Sequence, residues 1–153
     1  MQVSYARTPL QQSIFLAGPT PRDANTPSWR PEALEILKNL GFTGTVFVPE
    51  DSDGSKKFSY DDQIEWELQA LHSATCVLFW VPRELEHMPA MVTNVEFGHF
   101  VHRPNTVLGY PLEAPKMKYL HGLANLHGIT VRHTLHSTII KAMYIASRPF
   151  ITS

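Results

Sequence analysis

Hydrophobic residues along the chain fall into five short, unbroken runs, separated by longer segments with helical spacing. The runs are Ser13–Ala17, Thr45–Val48, Cys76–Val81, Asn105–Tyr110 and Gly128–Val131. Apolar runs that are continuous rather than alternating are typical of parallel strands covered on both faces. The pattern therefore predicts five buried, mainly parallel strands.

The first two intervening segments carry signals for helices. Ser28 and Ser59 are each placed to accept a hydrogen bond from the first turn of a helix, as N-cap residues do. The second helix carries Ile64, Leu68 and Leu71 on one stripe, which we expect to face the core.

Three further helices complete the pattern. Thr93 can cap one that runs to about His102, and weaker helical spacing covers Ala114–Leu126 and Thr134–Ser147. Strands that alternate with helices in this way predict a doubly wound α/β sheet with right-handed crossovers. We expect residues 1–153 to form a single domain.

Polar residues after the strands indicate where a ligand would bind, because doubly wound sheets bind ligands at the carboxyl ends of their strands. Gly18 follows the first strand, and a residue without a side chain allows a ligand to approach the backbone, although a tight turn explains it equally well. Asp51, Asp53 and Glu96 follow the second and third strands, and Glu67 can face the same crevice from the second helix.

The segment Thr93–Gly98 (TNVEFG) allows two interpretations of Glu96. Thr93 and Glu96 have the spacing of a capping box, in which each side chain bonds a backbone amide of the helix start. A glutamate near the start of a helix beside the crevice can instead face a ligand. Spacing alone favours the capping box.

A group of polar and aromatic residues lies on the second helix. Gln63, Trp66 and Glu67 are three or four residues apart and share one helix face. An aromatic ring beside a carboxylate suits a pocket that stacks on a base and bonds to its edge. The alternative is that Trp66 belongs to the core and Glu67 is solvated.

Composition narrows the class of function. The net charge is −1 and there is no basic stripe, which argues against a nucleic-acid polymer as partner. Cys76 is the only cysteine, and no signal peptide or apolar run long enough to cross a membrane is evident, so we expect a cytoplasmic protein. The eight histidines form no dense cluster, and no phosphate-binding loop occurs, so no metal or cofactor is predicted.

Five elements occur in a characteristic order. They are Ser13–Pro19 (SIFLAGP), Val46–Glu50 (VFVPE), Gln63-x-x-Trp66-Glu67, Ala74–Arg83 and Thr93–Gly98. Together, over about residues 13–103, they resemble the nucleoside 2-deoxyribosyltransferase family, and most closely its branch with a Thr-Asn-x-Glu-Phe-Gly element. The resemblance implies a flavodoxin-like fold and transfer of 2-deoxyribose between purine or pyrimidine bases, without a cofactor. It also implies a dimer-based homo-oligomer or a hexamer, in which a neighbouring subunit completes each active site.

The resemblance also assigns roles to single residues. The nucleophilic glutamate of the family corresponds to Glu96, which makes the capping box the weaker interpretation. The acidic residue that contacts the base corresponds to Glu67, where the family usually has aspartate. Phe15 stands where the family has a tyrosine beside the nucleophile. The stretch that holds a sugar-binding aspartate in the family has no acid here, and Asn94 is the candidate replacement.

The implied mechanism is attack of Glu96 on C1′ of a deoxynucleoside, followed by attack of a second base on the ester. Asp51 or Asp53 would bond the base or the ribose, and Trp66 and Phe15 would form apolar walls. Two alternatives stay open. One is an N-glycosidase, which would use water as acceptor and would bind nucleoside monophosphates if Arg22, Arg30 or Arg83 reached the phosphate. The other is a non-catalytic nucleotide-binding module.

Overall fold

The chain folds around a five-stranded parallel sheet. The computed structural model describes residues 11–50 and 59–148. The strands are β1 Ser13–Ala17, β2 Thr45–Phe47, β3 Cys76–Trp80, β4 Thr106–Gly109 and β5 Val131–Arg132. Every neighbouring pair is parallel and the order is β2-β1-β3-β4-β5. This order is that of flavodoxin-like doubly wound sheets, so the predicted fold class is confirmed.

Within residues 11–50 and 59–148, five helices cover the two faces of the sheet. They are α1 Arg30–Asn39, α2 Tyr60–Ser73, α3 Met91–Phe100, α4 Lys118–Leu126 and α5 Leu135–Ala146. Core residues of α2, α3 and α4 pack together on one face, and those of α1 and α5 pack on the other. No helix among the described residues is long and apolar enough to cross a membrane.

Strand β1 shows why the apolar runs are continuous. Ile14 and Leu16 point toward the face covered by α1 and α5, whereas Phe15 and Ala17 point toward the face covered by α2 and α3. All four side chains are at most 1% exposed. Because successive residues of a strand alternate between faces, two covered faces require apolar residues at every position.

Helix α2 begins as predicted but packs differently from the prediction. The Ser59 hydroxyl accepts a hydrogen bond from the Asp62 amide at 3.2 Å, which confirms the cap. Leu71 is buried, but Ile64 and Leu68 are each 40% exposed, so the predicted core stripe is wrong over the first part of the helix. The outer end of α2 therefore leaves apolar surface uncovered among the described residues.

Three predicted boundaries shift because local backbone geometry decides them. Helix α1 begins at Arg30, so Trp29 takes the N-cap position, although the Ser28 hydroxyl still accepts a hydrogen bond from the Arg30 amide at 3.2 Å. Lys116 has a left-handed φ of 59°, which delays the start of α4 from Ala114 to Lys118. Strand β5 pairs only at Val131–Arg132 rather than over the predicted Gly128–Val131.

Candidate active site

Glu96 lies in the second turn of α3 and is partly buried. The helix starts at Met91, immediately after Ala90, whose φ of 59° is left-handed and breaks the helical path. Thr93 is therefore inside the helix and buried, at 3% exposure, rather than at the N-cap position. The capping-box interpretation is wrong, and Glu96 is not needed to complete the start of its helix.

Glu67 approaches Glu96 from α2, which packs on the same face of the sheet as α3. Its Oε1 accepts a hydrogen bond from Gln63 Nε2 at 3.1 Å, one turn earlier on the helix. The negative charge of Glu67 is close enough to raise the pKa of Glu96. The structure thus brings together two carboxyl groups that are 29 positions apart, from Glu67 to Glu96 in the sequence.

Burial raises the pKa of both carboxyl groups. Burial, together with the charge of Glu67, raises the pKa of Glu96 to about 7, and the charge of Arg30 opposes both effects. The pKa of Glu67 is also raised by burial, against the Gln63 hydrogen bond and Arg30. Since the charge of Glu67 acts on Glu96, the titrations of the two groups are coupled.

Trp66 provides an aromatic surface beside the carboxyl pair. Its side chain is 44% exposed, so the alternative that it belongs to the core is wrong. Phe15 is buried beneath it, with ring centroids 6.4 Å apart and planes tilted by 42°. Trp66 can therefore offer a ring face to a ligand, whereas Phe15 supports it from the core.

Gly18 is required by packing within the protein. A Cβ atom there would lie 2.1 Å from the Trp80 carbonyl oxygen and 2.8 Å from Cζ2 of the Trp29 ring. The φ of 151° is also one that other residues rarely adopt. These contacts account for glycine at this position without a ligand.

Asn94 lies on the other flank of α3 from Glu96. Residues that are two positions apart on a helix have side chains roughly 160° apart around its axis. The Asn94 Oδ1 accepts a hydrogen bond from Arg83, whose Nη1 also donates to the Lys116 carbonyl oxygen at 2.6 Å. Asn94 therefore joins α3 to the segment that enters α4, and is not brought together with the carboxyl pair.

Asp51 and Asp53 fall outside the described residues. Among the described residues, no three histidine, cysteine or acidic side chains form a group that could hold a metal ion. A depression of about 570 Å³ on the outer face of α2 and another of about 500 Å³ beside α4 contain neither Glu67 nor Glu96.

Arg30 and Glu50 belong to the surroundings of the site in a role that was not predicted from the sequence, since Arg30 was named only as a candidate for phosphate binding. Arg30 is 1% exposed, and its Nη1 lies 3.2 Å from Oε1 of Glu50, the last described residue after β2. One signal was present in the sequence. Arg30 shares a helical stripe with Ala33 and Leu37, which are both buried, so its side chain points into the protein.

The raised pKa of Glu96 predicts a pH-dependent difference in stability. The folded protein holds this proton to about pH 7, whereas an ordinary glutamate releases it near 4.5. The free energy of unfolding should therefore fall as the pH rises through this window. Glu96→Gln, which stays neutral, should be more stable than wild type by about 2–3 kcal/mol above neutral pH.

Urea unfolding of both proteins at a series of pH values measures this difference. Glu113→Gln, which replaces an exposed carboxylate after β4, serves as the control and should follow the wild-type pH dependence. Equal pH profiles for Glu96→Gln and wild type would contradict the raised pKa.

The fold and the site together define a flavodoxin-like α/β protein with two interacting, partly buried carboxyl groups, on the helices before and after β3. A model of the nucleoside 2-deoxyribosyltransferase-like family matches residues 11–113, and the chain belongs to this family. A search of curated proteins finds none that matches the chain.

Proposed function

We propose that this protein transfers 2-deoxyribose from a deoxynucleoside to a free nucleobase, with Glu96 as nucleophile. The observation that carries the proposal is the pair of partly buried carboxyl groups, Glu96 and Glu67, at the carboxyl edge of the sheet in a member of this family. Doubly wound sheets bind ligands where neighbouring crossovers leave in opposite directions, which here is between β1 and β3. Glu96 lies on the helix that follows β3.

The first half-reaction cleaves the donor nucleoside. A carboxylate oxygen of Glu96 forms a bond to C1′ as the bond from C1′ to the base nitrogen breaks, through an oxocarbenium-like transition state. The electron pair of the broken bond stays on the base, which takes the proton of the Glu67 carboxyl. The products are the free base, a deoxyribosyl ester on Glu96 and an ionised Glu67.

The second half-reaction reverses these steps with another base. Its ring nitrogen attacks C1′ from the face that the first base left, and the ester bond to Glu96 breaks. The proton on the attacking nitrogen passes to Glu67, which restores the starting state. Two displacements retain the configuration at C1′, as in retaining glycosidases.

The two proposed roles require different protonation states of the two carboxyl groups. The mechanism needs one proton on the pair, with Glu67 protonated and Glu96 ionised. Mutual repulsion disfavours loss of both protons, so the singly protonated pair persists over a wide pH range. In the free protein the pKa of Glu96 is raised to about 7 and that of Glu67 is also raised, so Glu96 must lose its proton, and Glu67 or the base must hold one, when substrate binds.

The arginines favour a nucleoside over a nucleotide as substrate. Arg30 and Arg83 are buried and their guanidinium groups donate to protein oxygens, so neither is available to a phosphate. Arg22 is exposed, in the loop after β1. Trp66 is placed to stack on the base, and Asp51 and Asp53 remain candidates for the base or the ribose.

The family resemblance also extends to a homo-oligomer whose subunits share active sites. Met91, Val92 and Val95 on α3 are between 62% and 73% exposed and lie on the same helix as Glu96. Apolar surface of this kind suits contact with a second subunit. Sedimentation equilibrium would detect the oligomer.

Incubation of thymidine with adenine, followed by chromatography, tests the proposed function directly. We expect deoxyadenosine and thymine to form together and in equal amounts. An N-glycosidase would release thymine and free deoxyribose at the same rate with or without adenine. A binding module would leave thymidine unchanged, and that outcome would end the proposal.

A further inference from the structure

The guanidinium group of Arg30 is buried against the loop that follows β1. Its Nη2 donates to the Gly18 carbonyl oxygen at 2.8 Å, and its Nε donates to the Leu16 carbonyl oxygen at 3.1 Å. Nη1 donates to the Thr20 hydroxyl at 3.0 Å and reaches the Pro19 carbonyl oxygen at 3.4 Å. One side chain from the first turn of α1 therefore holds most of the loop at the carboxyl end of β1.

The same group also anchors the chain that leaves β2. Glu50 Oε1 lies 3.2 Å from Arg30 Nη1, and Glu50 Oε2 accepts a hydrogen bond from the Ser28 hydroxyl at 2.9 Å. Glu50 directly precedes the segment that contains Asp51 and Asp53. Arg30 thus links the loop after β1 to Glu50, which follows the neighbouring strand β2.

The hydrogen bonds of Arg30 are made to the protein, so we do not expect it to contact a substrate. Its positive charge nevertheless reaches the carboxyl pair, since it lowers the pKa of both Glu96 and Glu67. Burial lowers the pKa of Arg30, and the charges of Glu50, Glu96 and Glu67 oppose this effect. A guanidinium group remains protonated under these conditions, so its charge is a fixed feature of the site.

We propose that Arg30 is a positioning residue, which fixes the loop after β1, holds Glu50 after β2 and places a permanent positive charge beside the Glu96–Glu67 pair. This inference rests on the proposed function for its effect on catalysis, but its electrostatic part is independent of turnover. Glu50 carries a negative charge that partly offsets the positive charge of Arg30. Removal of Arg30 and removal of Glu50 should therefore act on the pair in opposite directions.

The directions follow from the charges of the described groups that act on the pair. Glu67 from α2 and Arg30 from α1 act on Glu96 directly, while Glu50 after β2 acts on Arg30. Loss of the Arg30 charge leaves the effects of burial and repulsion unopposed, so the pKa of Glu96 rises above about 7. Loss of the Glu50 charge removes a nearby negative charge, so the pKa of Glu96 falls.

The test measures the titration of Glu96 by carbon NMR with isotope-labelled glutamate carboxyls, and assigns the signal with Glu96→Gln. Compared with wild type, the midpoint should move to higher pH in Arg30→Gln and to lower pH in Glu50→Gln. Arg30→Lys keeps the charge, so its midpoint should stay near that of wild type. Lysine cannot donate hydrogen bonds to all of these acceptors with the geometry of a guanidinium group, so kcat/KM of Arg30→Lys for exchange should fall on the order of 100-fold.

Arg103→Gln is the matched control. Arg103 also donates to two main-chain carbonyl oxygens, of Leu71 and His72, but at the end of α2, where the amino ends of the strands lie. Its replacement should leave both the Glu96 midpoint and the exchange rate unchanged. A residue with only a structural role would reduce stability in either arginine variant without moving the midpoint.

The NMR midpoints of the variants can also overturn the proposal. An unchanged midpoint in Arg30→Gln, or a midpoint in Glu50→Gln that stays or rises, overturns it. If Arg30→Gln does not fold, the midpoints of Arg30→Lys and Glu50→Gln carry the test. If the wild-type protein shows no exchange, the proposed function fails, whereas the NMR midpoints still report whether Arg30 sets the charge of the pair.

Discussion

Glu96→Gln should lose base exchange by at least about 10,000-fold while keeping the fold. Glutamine matches the size of glutamate, but its amide oxygen cannot form the ester to C1′ that both half-reactions require. The side chain is partly buried and Glu96 caps no helix, so the neutral replacement should disturb neither α3 nor the core. The measurement is the rate of deoxyadenosine formation from thymidine and adenine.

Glu65→Gln provides the matched control, since Glu65 is an exposed glutamate on α2 and is separated from Glu67 by one residue. Its exchange rate should equal that of wild type. Near-wild-type transfer by Glu96→Gln would rule out Glu96 as the nucleophile.

A covalent trap separates the roles of the two carboxyl groups. A 2′-fluoro nucleoside analogue destabilises the oxocarbenium-like transition state, so a slowly turned-over ester should accumulate. Mass spectrometry of peptides should find the sugar on Glu96. An adduct on Glu67 would mean that the two residues exchange the roles of nucleophile and proton donor.

The sheet was predictable because its signal is local. Each of the five strands either has both faces covered or lies beside a strand whose two faces are covered. Continuous apolar runs in the sequence are the direct signal of such strands. The shifted helix starts have a different cause. Ala90 and Lys116 adopt left-handed backbone conformations that neither residue type favours, so nothing in the residue types indicated that the helices begin at Met91 and Lys118.

The carboxyl pair was predictable only in part. Placement of Glu67 and Glu96 near the crevice follows from the order of strands and helices, and the family resemblance selected Glu96 over its capping interpretation. The contacts of Arg30 and Arg83 were not predictable, because their acceptors include main-chain carbonyl oxygens 12 to 33 positions away, such as those of Gly18 and Lys116. Every residue has such an oxygen, so the sequence does not indicate which carbonyl groups these arginines bind.

Gly18→Ala should destabilise the protein by about 3–5 kcal/mol, because strain and overpacking act together. The new Cβ would lie 2.1 Å from the Trp80 carbonyl oxygen, which belongs to β3 and cannot move without disturbing the sheet. Such a loss is a large share of the stability of a typical domain. Urea unfolding of the purified variant measures it.

Gly122→Ala separates this effect from the general cost of replacing a glycine. Gly122 lies inside α4, and a Cβ atom added there would meet no atom within 4 Å, so alanine should stabilise the protein by about 0.5–1 kcal/mol through its higher helix propensity. If Gly18→Ala instead kept wild-type stability and lost only substrate affinity, the glycine would serve the ligand. The short distances to Trp80 and Trp29 favour the first outcome, in which Gly18 allows the chain after β1 to pass close to the Trp80 carbonyl oxygen and the Trp29 ring.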